Sequence, residues 1–436
     1  MKYEFFIGLR YLSSRRKQKF TSIIGLISVL GVIIGVMALN VVLSVMGGFE
    51  EELREKILGV SSHIVILSYD GPMKDYSEIK DDALEFPGVV GASPFIYGQG
   101  MIASERNVSG SVVRGIDPGS AGSVTNIEQA IGRGVLEAGR KNKEKFSDEQ
   151  LSKAGKEVLG KLSSSTESGK PPILLGKELA STLGVMEGDL VSLVSPFGKM
   201  GPFGATAKVK KFEVVGIFDY GMIEYDSSIS YVDLKGAMDF FDMNGEVSGV
   251  EVKIRDIYDA KRIGGELASI LGFPYYSRNW EEVNKSLFKA LRLERVAIAI
   301  FLGLIILVAA LDIVSALTMV VMEKGKDIAI LRAMGATKQG ILKIFVIDGM
   351  IIGFVGTFLG SLSGFGICYM LKTSETIRKL IPFDNNVYPI SEFPVKIEPF
   401  YFLMIAFCSI LICFIATLYP SFQASRKDPI EALRYE

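Results

Sequence analysis

A single histidine, His63, stands in this chain of 436 residues, and no cysteine or second histidine lies near it to complete a metal site. It opens an apolar stretch that reads as a strand, so a structural place suits it. Gly155, Gly160 and Lys161 nearly spell a phosphate-binding loop. The next residue is Leu162, where the magnesium-binding Ser or Thr belongs, and no apolar strand precedes the run. There is no Gly-x-Ser-x-Gly elbow and no zinc signature. Acid pairs such as Asp81-Asp82 read as solvated helix face. Asp312 lies inside one long apolar run and Asp348 near the start of another. Acids are costly in such places. Snorkelling or hydrogen-bonded packing accounts for them, and a proton relay is the alternative. The chain therefore reads as non-enzymatic, with no metal and no cofactor of its own. Energy for any work must come from a partner.

The elements that would position such a partner are set by hydrophobicity. Apolar segments occupy residues 22–47, 296–322, 344–371 and 399–420. Each can span a hydrocarbon core of ~30 Å, which needs ~20 helical residues. The interval between the first and second is mostly polar. The predicted fold class is a membrane protein with four transmembrane α-helices and a large α+β domain, residues 48–295, inserted between helices 1 and 2. A hydrophobic fraction of 49% and a mean hydropathy of +0.33 fit this mixture. The net charge of −1 gives no basic surplus, so no nucleic-acid partner is expected. Cys368, Cys408 and Cys413 all fall in predicted spans, and the inserted domain has no disulfide. The first apolar segment is too long for a signal peptide and lacks a small-residue cleavage site, so it reads as a retained anchor.

Basic residues set the orientation. Lys2, Arg10, Arg15, Arg16, Lys17 and Lys19 precede the first span against Glu4 alone. Segment 1–21 is thus cytoplasmic, either as an interfacial helix bearing Phe5, Phe6, Leu9 and Leu12 or as a charged flank. The loop 323–343 is basic and also cytoplasmic, as is the tail 421–436. The loop 372–398 balances its charges and reads as exterior, with the inserted domain.

Phe49, Leu53 and Ile57 recur every four residues after the first span, and Val283, Leu287 and Leu291 do so before the second. Both spans therefore extend as amphipathic stalks, the second from Trp280 to Arg295. Between them, strands are expected at His63–Leu67, Val108–Gly115, Leu190–Val194, Val209–Phe218 and Val250–Ile254. Helices are expected at Gly176–Leu183, Leu234–Phe241 and Ala260–Leu271. Residues 128–170 read as a helical or mobile surface insertion. The loop Ser195–Gly204 mixes turn formers with Phe197, Met200 and Phe203, which suits a docking surface or a long hairpin packed back on the domain.

Gly31 and Gly35 in the first span, and Gly349, Gly353, Gly356, Gly360 and Gly364 in the third, have the four-residue spacing of close helix contacts in lipid. Between the second and third spans, residues 326–334 form a predicted short helix with Ile328 and Leu331 on one face. Gly335 is placed to stop it and Thr337 to cap the next helix. Such a helix suits a socket on another protein, or is an ordinary interfacial linker.

These residues resemble the transmembrane subunits of the bacterial lipoprotein-releasing ABC transporter, the LolC/LolE family. The resemblance runs almost end to end. It is carried by Phe6-Ile7-Gly8-Leu9-Arg10-Tyr11, Gly35-Val36-Met37-Ala38-Leu39, Leu43-Ser44-Val45-Met46, Ile173-Leu174-Leu175-Gly176 and Met322-Glu323-Lys324. Asp327-Ile328-Ala329-Ile330-Leu331-Arg332 and the tail from Leu418 to Glu436 complete it. The Glu-Lys-x-x-Asp-Ile-Ala-x-Leu-Arg loop type is shared with the wider FtsX/MacB-like permeases.

The resemblance implies an inner-membrane permease paired with a second permease, LolE-like or a copy of itself. A cytoplasmic LolD-like ATPase would use ATP and Mg. Glu323, Lys324, Asp327, Ile328, Leu331, Arg332 and Gly335 become the ATPase-coupling element, while Gly31, Gly35, Gly353, Gly356 and Gly360 are a helix-packing set by their spacing alone, within the subunit or between subunits. Phe197, Met200, Pro202 and Phe203 fall where LolC carries a hook that captures a periplasmic carrier, LolA. The cargo would be triacylated outer-membrane lipoproteins, and the inserted domain would be periplasmic. Three features depart from the pattern: the length of 128–170, Asp312 in place of a neutral amide, and the extra Gly47. A MacB-like efflux permease and an FtsX-like signalling subunit that activates cell-wall hydrolases are the alternative functions.

Overall fold

The computed structural model describes residues 19–136, 146–164, 166, 168–195, 200–201, 204–205, 207–373 and 395–426. The main helices are α1 (Lys19–Val60), α2 (Ile127–Leu136), α3 (Asp148–Lys161), α4 (Ala260–Leu271), α5 (Lys285–Glu323), α6 (Gly325–Ala333), α7 (Lys338–Thr373) and α8 (Pro399–Arg426). Contacts divide the described residues into two compact units. One holds the chain up to Glu51 and from Lys289 onward, and the other holds Glu52–Phe288.

In the first unit, α1, α5, α7 and α8 are each long and apolar enough to cross a membrane. Helix α1 runs 42 residues without a break, through Gly47 and Gly48. That is about 63 Å at 1.5 Å per residue, about twice the hydrocarbon thickness. The second predicted stalk is not one helix from Trp280 to Arg295. Trp280–Val283 is a short helix capped by Asn279, and Asn284 at φ −103° interrupts the run before α5 begins at Lys285. The Asn284 amide donates to the Trp280 carbonyl at 3.0 Å, so its side chain competes with the helical ladder.

The second unit is built on β1 (Ile64–Ser68), β2 (Val89–Ala103), β3 (Val108–Ile116), β4 (Pro172–Gly176), β5 (Leu190–Ser195), β6 (Met200–Gly201), β7 (Gly204–Ala205), β8 (Lys208–Phe218), β9 (Ile229–Asp233), β10 (Gly249–Ile254) and β11 (Tyr275–Asn279). The large sheet runs β11-β1-β10-β2-β3-β9-β4-β8-β5, and β5 also pairs with β2. Six strands therefore close into a ring, and β10, β1 and β11 extend from it as an open wing. Closure leaves the ring without a free edge.

The five expected strands and three expected helices are present, with ends within about one residue. The longest strand, β2, is not among the expected ones, and it carries Gly91, Pro94, Gly98 and Gly100. Their smallness serves packing. A β-carbon at Gly91 would come within 2.7 Å of the Ser123 carbonyl, and one at Gly98 would strike the Phe241 ring. The segment 128–170 is not a surface addition. Its helices α2 and α3 cross so closely that Gly132 abuts the Leu151 backbone and Gly155 abuts Glu128. Ile131, Val158 and Leu159 then bury against Val215, Phe218 and Tyr231 of the sheet. Gly155 and Gly160 lie inside α3, which is helix and not a phosphate loop.

Two cores result. Ile64, Ile66, Val113, Leu175, Phe212 and Val250 belong to the first, on one side of the sheet and inside the ring. The second lies beneath α2, α3 and the end of α1. His63 is 6% exposed, and its Nδ1 accepts from the Ile254 N–H at 3.3 Å. Burial, then the charge of Lys253, lowers its pKa, so the imidazole is neutral and structural.

Candidate functional site

The turn between α5 and α7 is fully specified by its caps. Met334 caps α6, and Gly335 follows at φ +100°, which a residue with a β-carbon rarely adopts. The Gly335 N–H donates to the Arg332 carbonyl at 3.1 Å, and the Ala336 N–H to the Leu331 carbonyl at 3.0 Å. These two bonds form a Schellman motif. Thr337 Oγ1 then accepts from the Gly340 N–H at 3.1 Å and caps α7. The direction of α6 is thereby fixed at its C-terminal end.

The apolar face of α6 is engaged within the chain. Ile328 is 1% exposed and clusters with Val321, Ile341, Ile344, Phe345 and Ala424. Leu331 packs against the same cluster. The outward row carries Ile330, 50% exposed, and Met334, 80% exposed. Asp327 lies 3.5 Å from Lys324, one turn away. Glu323 is exposed at the end of α5, and Arg332 is half-buried.

Between β5 and β8 a small hairpin forms, with Met200 opposite Ala205 and Gly201 opposite Gly204. Met200 is on its first strand. Phe197, Pro202 and Phe203 lie outside the described residues.

The glycines of α7 divide between two neighbours. A β-carbon at Gly353 would lie 2.6 Å from Cys413 of α8, and one at Gly349 would strike Thr417. At Gly356 and Gly360 it would lie 2.8 Å and 2.9 Å from Val32 and Val36 of α1. Thus α7 is wedged between α1 and α8 at backbone distance. Gly31 and Gly35 differ: a β-carbon there meets α5 at 3.8 Å, an ordinary contact. Asp348 is 2% exposed, whereas Asp312 is exposed on α5.

Polar groups tie the elements near residues 44–51. Glu50 pairs with Arg295 of α5. Lys396 lies 2.5 Å from Glu51 and 2.7 Å from Glu398, and its N–H donates to the Ser44 carbonyl at 3.0 Å. The hydrogen bonds it donates to Glu398, then to Glu51, raise the Lys396 pKa, so the ammonium stays charged. The sequence signal for this collar is the pair Glu50-Glu51 just past the apolar run.

A family model described as FtsX-like permease C-terminal matches residues 299–429, and one described as MacB-like periplasmic core domain matches residues 26–270. The chain is 34% identical to the lipoprotein-releasing system transmembrane protein LolC of Neisseria meningitidis serogroup B, over 99% of both chains. It is 32% identical to LolC of Xylella fastidiosa strain Temecula1, over 99% of this chain and 98% of the relative. The chain belongs to the LolC/LolE family.

LolE of Haemophilus influenzae is also similar, at 27% identity over 98% of both chains. The two family models divide this LolC/LolE chain in a way that fits its elements. The MacB-like match begins within α1 and ends within α4, and the FtsX-like match covers α6, α7 and α8 with most of α5. A LolC/LolE protein of this form is a membrane permease with four apolar helices and a MacB-like periplasmic domain.

Proposed function

We propose that this chain is the permease subunit of an ATP-driven transporter of the bacterial inner membrane. It extracts triacylated lipoproteins from the outer leaflet and hands them to a periplasmic carrier. The observation that carries this reading is end-to-end similarity to proteins named as LolC, over 99% of the chain. Relatives named LolC at 34% and 32% identity support a LolC-like chain, paired with a LolE-like subunit or with itself.

The segments take their places accordingly. Residues 48–295 face the periplasm, 323–343 face the cytoplasm, and a LolD-like ATPase binds there and uses ATP and Mg. Removing an acyl chain from the bilayer costs about 0.8 kcal/mol per CH₂, which three chains make prohibitive without a driven step. The coupling element is α6, with Glu323, Lys324, Asp327, Ile328, Leu331, Arg332 and Gly335. Within it Ile328 and Leu331 fix the helix on its own chain, and the outward Ile330 and Met334 enter the ATPase. The α1 and α5 helices carry the closing motion outward. The hairpin of β6 and β7, with Phe197, Met200, Pro202 and Phe203, captures the LolA-like carrier.

The test is a proteoliposome assay with the permease pair, the ATPase, a triacylated lipoprotein and the carrier. Release should require ATP. Ile330→Asp with Met334→Asp should abolish lipoprotein-stimulated ATPase activity and ATPase co-purification while the permease remains folded. Full release by that variant would remove α6 from the coupling role. Absence of ATP-dependent release by the unaltered complex would remove the function.

A further inference from the structure

The large sheet is covered unevenly, and the uncovered part has the character of a binding site. On one face Ile64, Ile66, Val250 and Val252 are sealed into the first core. On the other, the half made by β3, β9, β4 and β8 is sealed by α2, α3 and the end of α1. Among the described residues the remaining half, made by β11, β1, β10 and β2, is bordered by two short helices, Trp280–Val283 and Ile223–Ser228. A hollow of about 680 Å³ lies over it. Sites for organic ligands fall in this size range.

The floor is partly apolar, with Val65, Leu67 and Phe95, and Tyr97 rises from it 53% exposed. Two charges are sunk into the floor and neutralise each other. Arg114 donates to Glu251 at 2.5 Å, and the Ser62 hydroxyl donates to the same carboxylate oxygen at 3.3 Å. Arg114 is 8% exposed and Glu251 6%. Two further charges stand exposed at the ends. Arg278 is on β11, where its side chain makes a long 3.4 Å contact to the Glu282 carbonyl, and Glu224 is on the short helix Ile223–Ser228 that leads into β9. Five strand steps separate β11 from β9. At about 4.8 Å per step that is about 24 Å, the length of about seven extended residues.

We infer that this open half-face is a groove for an extended polypeptide segment, and that its occupant is the polypeptide portion of the lipoprotein cargo. The inference rests on the lipoprotein-releasing reading above. Charge complementarity selects the occupant. An acidic side chain meets Arg278, a basic one meets Glu224, and backbone amides find hydroxyl partners between them. An acyl chain would cover the Arg114–Glu251 pair and the serines without satisfying any polar group. A flat partner surface would leave the hollow unfilled, and the charged floor is unlike the core of a stable subunit interface, which is depleted of charge.

The experiment uses the whole complex in proteoliposomes with two cargoes. One is the full-length lipoprotein, and the other is a triacylated lipopeptide of two residues. A photo-crosslinking benzoylphenylalanine replaces Tyr97 in one variant and Met186, 75% exposed and outside the groove, in another. Crosslinks from position 97 should map to the cargo polypeptide, and position 186 should give none. Arg278→Glu should slow release of the full-length cargo at least several-fold and leave release of the lipopeptide unchanged. Crosslinks to lipid or to the second permease would overturn the groove, as would equal effects of Arg278→Glu on both cargoes or on neither. If the unaltered complex releases neither cargo, the transport reading itself falls and takes the groove with it.

Discussion

Arg114 and Glu251 meet at 2.5 Å although β2 lies between their strands. Arg114 is opposite Tyr97 of β2, and Glu251 is opposite Ser93 of the same strand. The guanidinium reaches diagonally over β2 and also lies 5.7 Å from the centre of the Tyr231 ring. The pair therefore clamps the open wing of the sheet to the closed ring.

Breaking that clamp from one side leaves a buried charge without a partner. Glu251→Gln should destabilise the protein by about 3–5 kcal/mol, and Arg114→Met by a similar amount. Replacing both residues with apolar ones should cost clearly less than the sum of the single changes. Denaturant unfolding of the detergent-solubilised chain, read through Trp280, measures the cycle. Strict additivity would show that the two charges do not interact.

Asp226 makes the stability depend on pH. Its carboxylate accepts from the N–H groups of Tyr220 at 2.8 Å and Met222 at 3.0 Å. Burial nevertheless pushes its pKa up to about 6 from 3.8, and the nearby charge of Asp219 adds to the rise. The folded state then holds this proton more tightly than the unfolded state. Its contribution is full below about pH 4 and is lost as pH rises through about 6. Thermal midpoints scanned from pH 4 to 7 should contain this fall, and Asp226→Asn should remove it. An unchanged pH profile in that variant would assign the slope elsewhere.

Gly360 and Gly31 should respond differently to the same change. At Gly360 a methyl would press on the Ile33 carbonyl and Val36 at 2.9 Å, so Gly360→Ala forces α1 and α7 apart. Overpacking of this kind costs about 1–3 kcal/mol. At Gly31 the nearest atom is 3.8 Å away, and Gly31→Ala should be tolerated. Folded yield and thermal midpoint in detergent measure both.

On α6, Ile328 and Ile330 separate folding from contact. Ile328→Ala empties a packed site and should cost about 2–5 kcal/mol. Ile330→Ala changes an exposed side chain and should alter stability by less than about 0.5 kcal/mol. If instead Ile330→Ala destabilises the isolated chain, the outward row is part of the fold.

Features that depend only on neighbours along the chain are legible without any coordinates. Four apolar runs, the Schellman glycine Gly335 and the Thr337 cap need only local spacing to be read. So do β3, β5, β8 and β10, whose apolar residues are strong strand formers. The remaining features come from contacts between segments remote in the chain. Gly98 and Gly100 look like turn residues until Phe241 and the β5 backbone are seen to need the room they leave. The segment with α2 and α3 looks like surface because its charges outnumber its few buried apolar residues, and those find cover only against β8. Ile328 looks available to a partner because periodicity gives a face but not its direction. Only packing against Ile341 and Phe345 shows that the face turns inward. The open half of the sheet was likewise invisible in sequence, since whether a strand face is covered depends on where remote helices come to rest.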